Sequence, residues 1–570
     1  MKIDRLSKFD DNSTMTADLV IVGGGPAGLT IATQCAKAGR KVLVVESGLE
    51  FEDAEHSALN EVENVCELQS EAQIRRRVEF HGPQAEFWSS EVQPFGVRCR
   101  ALGGSTHAWA GKSAPFDVMD FRARSWVPCS GWPMDRSQIE PYLLRAMEVL
   151  NLSPREPPRR FDTAEVHSFY WQFARSRVER LDIMRFGREL MTKRSDQIHV
   201  LLDATVTRIG LSADGSHFSH LELANMAGKR ARITARLCVL AAGGIENARL
   251  LLTSNDVHSK GIGNHRDLVG RYLMDHPGAR IGRIDASQMA PLAKLFGFFG
   301  AHHKGRAHMF MHGLALTPQI QEREQLLNAG IYFATERAPD DPWDALKRLL
   351  RRDADVRRDL CSVAKGSGLI VKGIGMKILS DHRTPKMLKE FMINSAIRLS
   401  PNLVADEFQC RGLPHKLTGL RIEAICEQIP NADSRISLST RRDPFGMPLA
   451  KVDWRINDIE RQTLLRIAEI SAASLLSAGL PVPKLEDWAV ERRPQDIVII
   501  DMAHTLGTTR MSVDAKTGVV DENCRLHDVH NLYVAGGSVF PTSGHANPTL
   551  MILALATRLA DHLNQKLAAG

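Results

Sequence analysis

A chain of 570 residues exceeds one ordinary core, and at roughly 150 residues per domain it implies two to four domains. Its 43% hydrophobic and 25% charged residues suit a globular enzyme and exclude a collagenous or bulk-disordered chain. The net charge of +6 is too mild to imply a nucleic-acid partner, and no run of about 18 uncharged apolar residues predicts a membrane span.

The nine cysteines are scattered and contain no C-x-x-C pair, so neither a disulfide framework nor a metal site is expected. No apolar run precedes residue 18, so no secretory leader is expected and the location is read as cytoplasmic. Residues 18–23, DLVIVG, form an apolar run bounded by glycine, as a buried parallel strand requires. GGGPAG and a helical stretch to Gly39 follow, and KVLVVE forms a second strand ending at Glu46. Gly23, Gly25 and Gly28 therefore stand as G-x-G-x-x-G inside a β-α-β unit. Gly23 serves the tight turn, Gly25 the approach of a pyrophosphate and Gly28 close helix–strand packing, while Glu46 is placed for a ribose diol. This is a dinucleotide site, and it does not by itself separate FAD from NAD.

Farther along, residues 101–121 read ALGGSTHAWAGKSAPFDVMDF, and 204–209 read ATVTRI. LCVLAAGGIENARLLL spans 237–252 and VGRYLMDHPG spans 269–278. Residues 341–400 hold 13 basic and 7 acidic side chains. Within them Trp343, Leu346, Leu349, Leu350, Leu360 and Val363 share one helical face, interrupted by Asp353 and Arg357, and a glycine-rich apolar strip follows. The expectation is an insertion packed on its own domain, with the glycines of 366–375 allowing movement near the site; the alternative is a membrane or partner dock. EAICEQ, SRISLS and AKVDWR read as short strands, and 458–478 as a helix stopped by Gly479. The tail carries HTLGTTRM from His504 and then VAGGSVFPTSGHANPTL before a last helical stretch.

In this order the motifs resemble the glucose–methanol–choline oxidoreductase family, and within it the pyranose-oxidase and sugar-dehydrogenase branch. The resemblance implies an α/β fold: a discontinuous Rossmann-type FAD-binding domain with an inserted α+β substrate domain of antiparallel sheet plus helices. The expected portions are 15–120, 196–284 and 496–570 for FAD, with 121–195 and 285–495 for substrate. It implies that FAD contacts include Gly103, Gly104, Ser105, Val206, Gly537, Asn547, Pro548 and Thr549, besides Gly23, Gly25, Gly28 and Glu46. Carried over by motif, His504 is the base and Asn547 the group that positions the alcohol. A histidine is suited to proton transfer near neutrality, and an asparagine offers donor and acceptor together. Asn547 is also read as the N-cap of the last helix, with Pro548 in its first turn.

One departure stands out. The branch can link FAD through a histidine directly before the tryptophan; here Ala108 takes that place and His107 lies one residue early, so non-covalent FAD is expected. His545, Glu427 and Gln428 are candidates for lining the substrate site. The expected reaction is oxidation of a sugar, glycoside or polyol-like secondary alcohol, with oxygen, a quinone or a carrier protein as acceptor. A bulky apolar alcohol such as a sterol or terpenoid is the alternative, suggested by the Phe- and Met-rich stretch 291–317, and a lyase with structural FAD is a third reading.

Overall fold

A computed structural model describes residues 1–569, apart from 68, 179–181, 193–194, 352–355, 381–384 and 400–414. The apolar runs become the centre of an eight-stranded sheet. Leu19–Val22 and Val42–Val45 are buried throughout and pair in parallel, Leu19 opposite Val42 and Val22 opposite Val45. Burial on both faces is what unbroken, non-alternating runs require. Lys2–Arg5 and Ile198–Leu202 extend the sheet on one side. On the other, Arg230–Leu240 pairs in parallel with Ser13–Val22 and with Leu532–Val534, followed by antiparallel Phe218–Ala224 and Thr205–Leu211. Pieces from both ends and the middle of the chain thus share one sheet, and the final helix Thr549–Ala569 packs on the first, Pro26–Lys37.

A second sheet of eight strands is antiparallel. Its order is Lys484–Leu485, Gly278–Asp285, Leu417–Cys426, Ala329–Arg337, Arg306–Leu316, Val166–Phe173 and Lys112–Ser113, with Phe298–His303 also paired to Arg306–Leu316. Gly278–Asp285, placed by sequence largely in the FAD portion, instead pairs with Leu417–Cys426 here. Helix Asp458–Ser477 packs across this sheet, its start fixed by a capping box between Asn457 and Glu460. A three-stranded sheet joins Arg435–Arg442, Pro448–Asp453 and Val62–Asn64.

The 341–400 segment differs from its expected form. The glycine-rich strip is helical over Ser367–Ser380, following helices Pro342–Arg351 and Val356–Lys365. Packing against those two helices outweighs the helix cost of glycine, about 1 kcal/mol each. Helix Lys386–Leu399 lies on strands Phe298–His303 and Arg306–Leu316, burying Ile393 and Ile397. Trp343 is buried, whereas Val356, Leu360, Val371 and Phe391 are exposed. No helix among the described residues is long and apolar enough to cross a membrane.

Candidate active site

A cavity of about 1800 Å³ runs from the first sheet to the second. Ligand pockets commonly span about 300–1,000 Å³, so this one has room for a dinucleotide and a substrate together. Gly23, Gly25, Glu46, Gly104, Ser105, Val206, Gly537, Asn547, Pro548, Thr549 and His504 all line it. Gly28 and Gly103 do not; they allow contact behind it. A Cβ on Gly28 would stand 2.2 Å from the Gly23 carbonyl oxygen, and one on Gly103 would stand 2.6 Å from the Gly187 nitrogen.

Two observations test whether FAD fits. A Cβ on Gly25 would meet no protein atom within 4 Å, so the space over the first helix's N-terminus is a cradle that a side chain would fill. At the other end, Asn547 Oδ1 is buried without a hydrogen-bond partner, as an acceptor awaiting a ligand donor would be. Glu46, buried at the head of its loop, accepts from Gly24 N at 2.7 Å and Gly48 N at 2.9 Å. Burial pushes its pKa up, against the pull of those amides. Its carboxylate retains acceptor capacity toward the cavity. The residues present therefore fit FAD.

The reacting end is built around Asp275, a buried carboxylate that sequence reading passed over. It accepts from His276 N at 2.6 Å, Met502 N at 2.8 Å and His504 N at 2.8 Å. Between the last two, Ala503 adopts φ +60°, a left-handed conformation costing a non-glycine residue about 1–2 kcal/mol. The two amides held by one carboxylate keep that turn closed, and it aims His504 into the cavity.

Hydrogen bonding then selects the tautomers. His276 Nε2 lies 3.2 Å from the Ser543 carbonyl oxygen, which can only accept, so Nε2 carries the proton. In the neutral ring His276 Nδ1 is then an acceptor, and it lies 2.8 Å from His504 Nδ1, which must donate. His504 Nε2 is left unprotonated, its lone pair accepting from Asn547 Nδ2 at 3.3 Å. Burial, then His276, His81 and Lys112, hold the His504 pKa well below the ordinary imidazole range. Burial likewise lowers His276 to about 4. Both rings are neutral at neutral pH, and His504 Nε2 is an unprotonated base. Possible ligand atoms of Asp275, His276 and His504 lie within 4.8 Å of one another, but the carboxylate and His276 Nε2 are committed to these hydrogen bonds.

The last helix begins at Thr549, and Pro548 O accepts from Ile552 N, so Pro548 stands at the cap and Asn547 one residue before it. Asn547 is thereby released from capping, and its amide turns to His504.

Of the other candidates, His107 and Ala108 also line the cavity, whereas Glu427, Gln428 and His545 do not. Glu427 is fully buried and grips Arg124 with both oxygens, at 2.5 and 2.7 Å. Gln428 accepts from Asp275 N and Trp454 Nε1 and donates to Arg455 O. Both brace the fold rather than line the cavity, because the strand ends at Cys426 and the alternation of its faces ends with it. The cavity-facing residues of that strand are Arg421, Glu423 and Ile425. His545 packs on Phe169, ring centres 4.5 Å apart, and burial lowers its pKa to about 3. His107 Nε2 is engaged by Leu102 O at 3.0 Å, and Ala108 is buried beside it.

A family model described as GMC oxidoreductase matches residues 430–556, and one described as FAD binding domain matches 18–60. Paromamine 6'-oxidase of Streptomyces fradiae is 24% identical over 95% of this chain and 90% of its own length. The fructose dehydrogenase large subunit of Gluconobacter japonicus is 27% identical over 60% of this chain, and the match spans only 49% of that protein. The structure of pyridoxine 4-oxidase from Mesorbium loti superposes with a TM-score of 0.53 at 17% identity, covering 96% of this chain and 99% of that one. That likeness is one of fold.

Proposed function

Since the chain belongs to the GMC oxidoreductase family, it binds FAD and oxidises a CH–OH group, and we propose that its substrate is a sugar, glycoside or polyol-like secondary alcohol. The single observation that carries the chemistry is the unprotonated Nε2 of His504, its tautomer set by the Ser543–His276–His504 chain and its lone pair turned to Asn547 at the cavity. In this reading His504 takes the hydroxyl proton. Asn547 donates to the same alcohol oxygen and fixes which C–H faces the cofactor. His276 holds the base in its acceptor tautomer and accepts a stronger hydrogen bond once His504 becomes cationic. FAD, when bound, supplies the two-electron acceptor for the carbinol hydrogen.

The polar lining supports a hydrophilic substrate over a sterol or terpenoid, since Arg76, Lys112, Arg280, Arg421 and Glu423 face the cavity. Phe296, Met309, Phe310 and Met311 of the Phe- and Met-rich stretch are core residues, buried and absent from the lining. The resemblance to a paromamine 6'-oxidase and a fructose dehydrogenase supports carbohydrate alcohols as well. Non-covalent FAD is supported by Ala108 and by the engagement of His107 with Leu102. A cytoplasmic location is supported by the eight described cysteines, all unbridged. The test is an anaerobic screen of sugars, polyols and lipophilic alcohols against the flavin absorbance. Bleaching by lipophilic alcohols alone would replace the sugar reading, and bleaching by none would favour a lyase.

A further inference from the structure

The cavity wall supplied by the second sheet carries a surplus of positive charge close to the base. Glu423 sits in register between Arg280 on one neighbouring strand and Tyr332 on the other. Its carboxylate accepts from Arg76 Nη2 at 2.5 Å and lies 3.6 Å from Arg280 Nε. That leaves two further cations on the same wall. Lys112 Nζ stands 3.8 Å from the centre of the Tyr332 ring, and among the described residues it has no hydrogen-bond or ion-pair partner. Arg421 has no carboxylate within ion-pair distance among the described residues, and its Nε is buried without a hydrogen-bond partner. Glu79 and Glu336 also line the cavity, but neither forms an ion pair with Lys112 or Arg421.

A half-buried cation held only by an aromatic face lacks the acceptors that water would give it. The strain shows in Lys112, whose pKa burial lowers to about 8 although Glu423 opposes the shift. Its charge reaches His504, where it helps keep the imidazole neutral. Lys112, His504 and Asn547 line the same cavity, so an anion bound by Lys112 would share it with the reacting carbon.

We propose that the alcohol oxidised here carries an anionic group, a carboxylate or a phosphate monoester, bound by Lys112 and Arg421 while its carbinol carbon faces His504 and Asn547. This rests on the alcohol-oxidising reading above and narrows it: an aldonate, a uronate or a sugar phosphate fits the wall better than a neutral sugar. Arg76 and Arg280, partly neutralised by Glu423, frame the site, and Lys112 and Arg421 supply its net charge.

The test uses the FAD-loaded protein and two measurements. In the first, acetate and inorganic phosphate are titrated at constant ionic strength, with binding followed by calorimetry and by the flavin difference spectrum. Saturable binding is expected, weakened about tenfold or more in Lys112→Met and in Arg421→Gln, the scale of a lost charge-assisted hydrogen bond. Each variant is first checked for unchanged FAD content. In the second, anaerobic flavin reduction is compared for glucose, gluconate and glucose 6-phosphate. One charged compound is expected to exceed the neutral one by about tenfold or more in kcat/KM, a preference that Lys112→Met abolishes; which one wins separates carboxylate from phosphate. Absent anion binding, binding unchanged in both variants, or reduction by the neutral sugar equal to that by both charged compounds would each overturn the proposal. Saturable anion binding with no bleaching by any alcohol would sink the oxidation reading and leave the anion site standing.

Discussion

Replacing His276 by leucine removes the acceptor of the His504 Nδ1 proton while keeping a buried side chain of similar bulk. His276 is fully buried and touches the cavity only through His504. Its loss leaves a buried N–H unpaired in the resting protein. It also withdraws a bond that becomes charge-assisted as His504 takes the proton. A hydrogen bond to a charged group contributes about 1.5–3 kcal/mol, and about 1.4 kcal/mol is tenfold in rate. His276→Leu should therefore slow anaerobic flavin reduction by about 10- to 150-fold. His276→Asn restores an acceptor near the Nδ1 position but leaves Ser543 O without its donor. It should recover most of the rate, because the tautomer of His504 depends on the first bond and not the second. Stopped-flow bleaching with a substrate from the alcohol screen gives the rates, and the flavin spectrum confirms loading. Leucine at the native rate would show that the tautomer is not set by His276. Asparagine as slow as leucine would show that the effect is damage to the site.

His504→Ala should leave FAD bound and slow reduction by roughly a hundredfold or more, the range of a positioned acid–base group; a native rate would dismiss His504 as the base. Because the folded His504 pKa lies well below 6.5, the base stays unprotonated as pH falls through that value, and it is lost only at lower pH. Native flavin reduction should accordingly be flat across neutrality and fall on the acid side, whereas a midpoint near 6.5 would contradict the burial argument. Acid precipitation should release the flavin into the supernatant, since Ala108 holds the linking position and His107 is bonded to Leu102; colour retained in a washed pellet would show a covalent bond. Glu427→Gln should destabilise the protein by about 3–5 kcal/mol, the cost of leaving Arg124 buried without its charge partner. The denaturant midpoint measures it, and an unchanged midpoint would refute the structural role given to that pair.

What the sequence determined by itself is local. The runs at 18–22 and 42–45, the glycines between them and Glu46 are contiguous, and a β-α-β unit of about 30 residues needs little from elsewhere. The tail motifs likewise singled out His504 and Asn547, which the structure brings to 3.3 Å. Tertiary structure decided the partners that make such groups work. His276 lay within a recognised motif, but nothing in its neighbours says that it meets a histidine 228 residues away. Asn547 looked like a helix cap until the helix proved to begin two residues later. Glu427 and Arg421 come from the same stretch of chain, yet one is sealed in an ion pair and the other faces the cavity. Alternate strand residues point to opposite sides, and which side is wet depends on the strand's end and on what packs over it. The charge on the cavity wall is a property of that packing: Lys112, Tyr332 and the strand carrying Arg421 and Glu423 are distant along the chain and meet only across one antiparallel sheet.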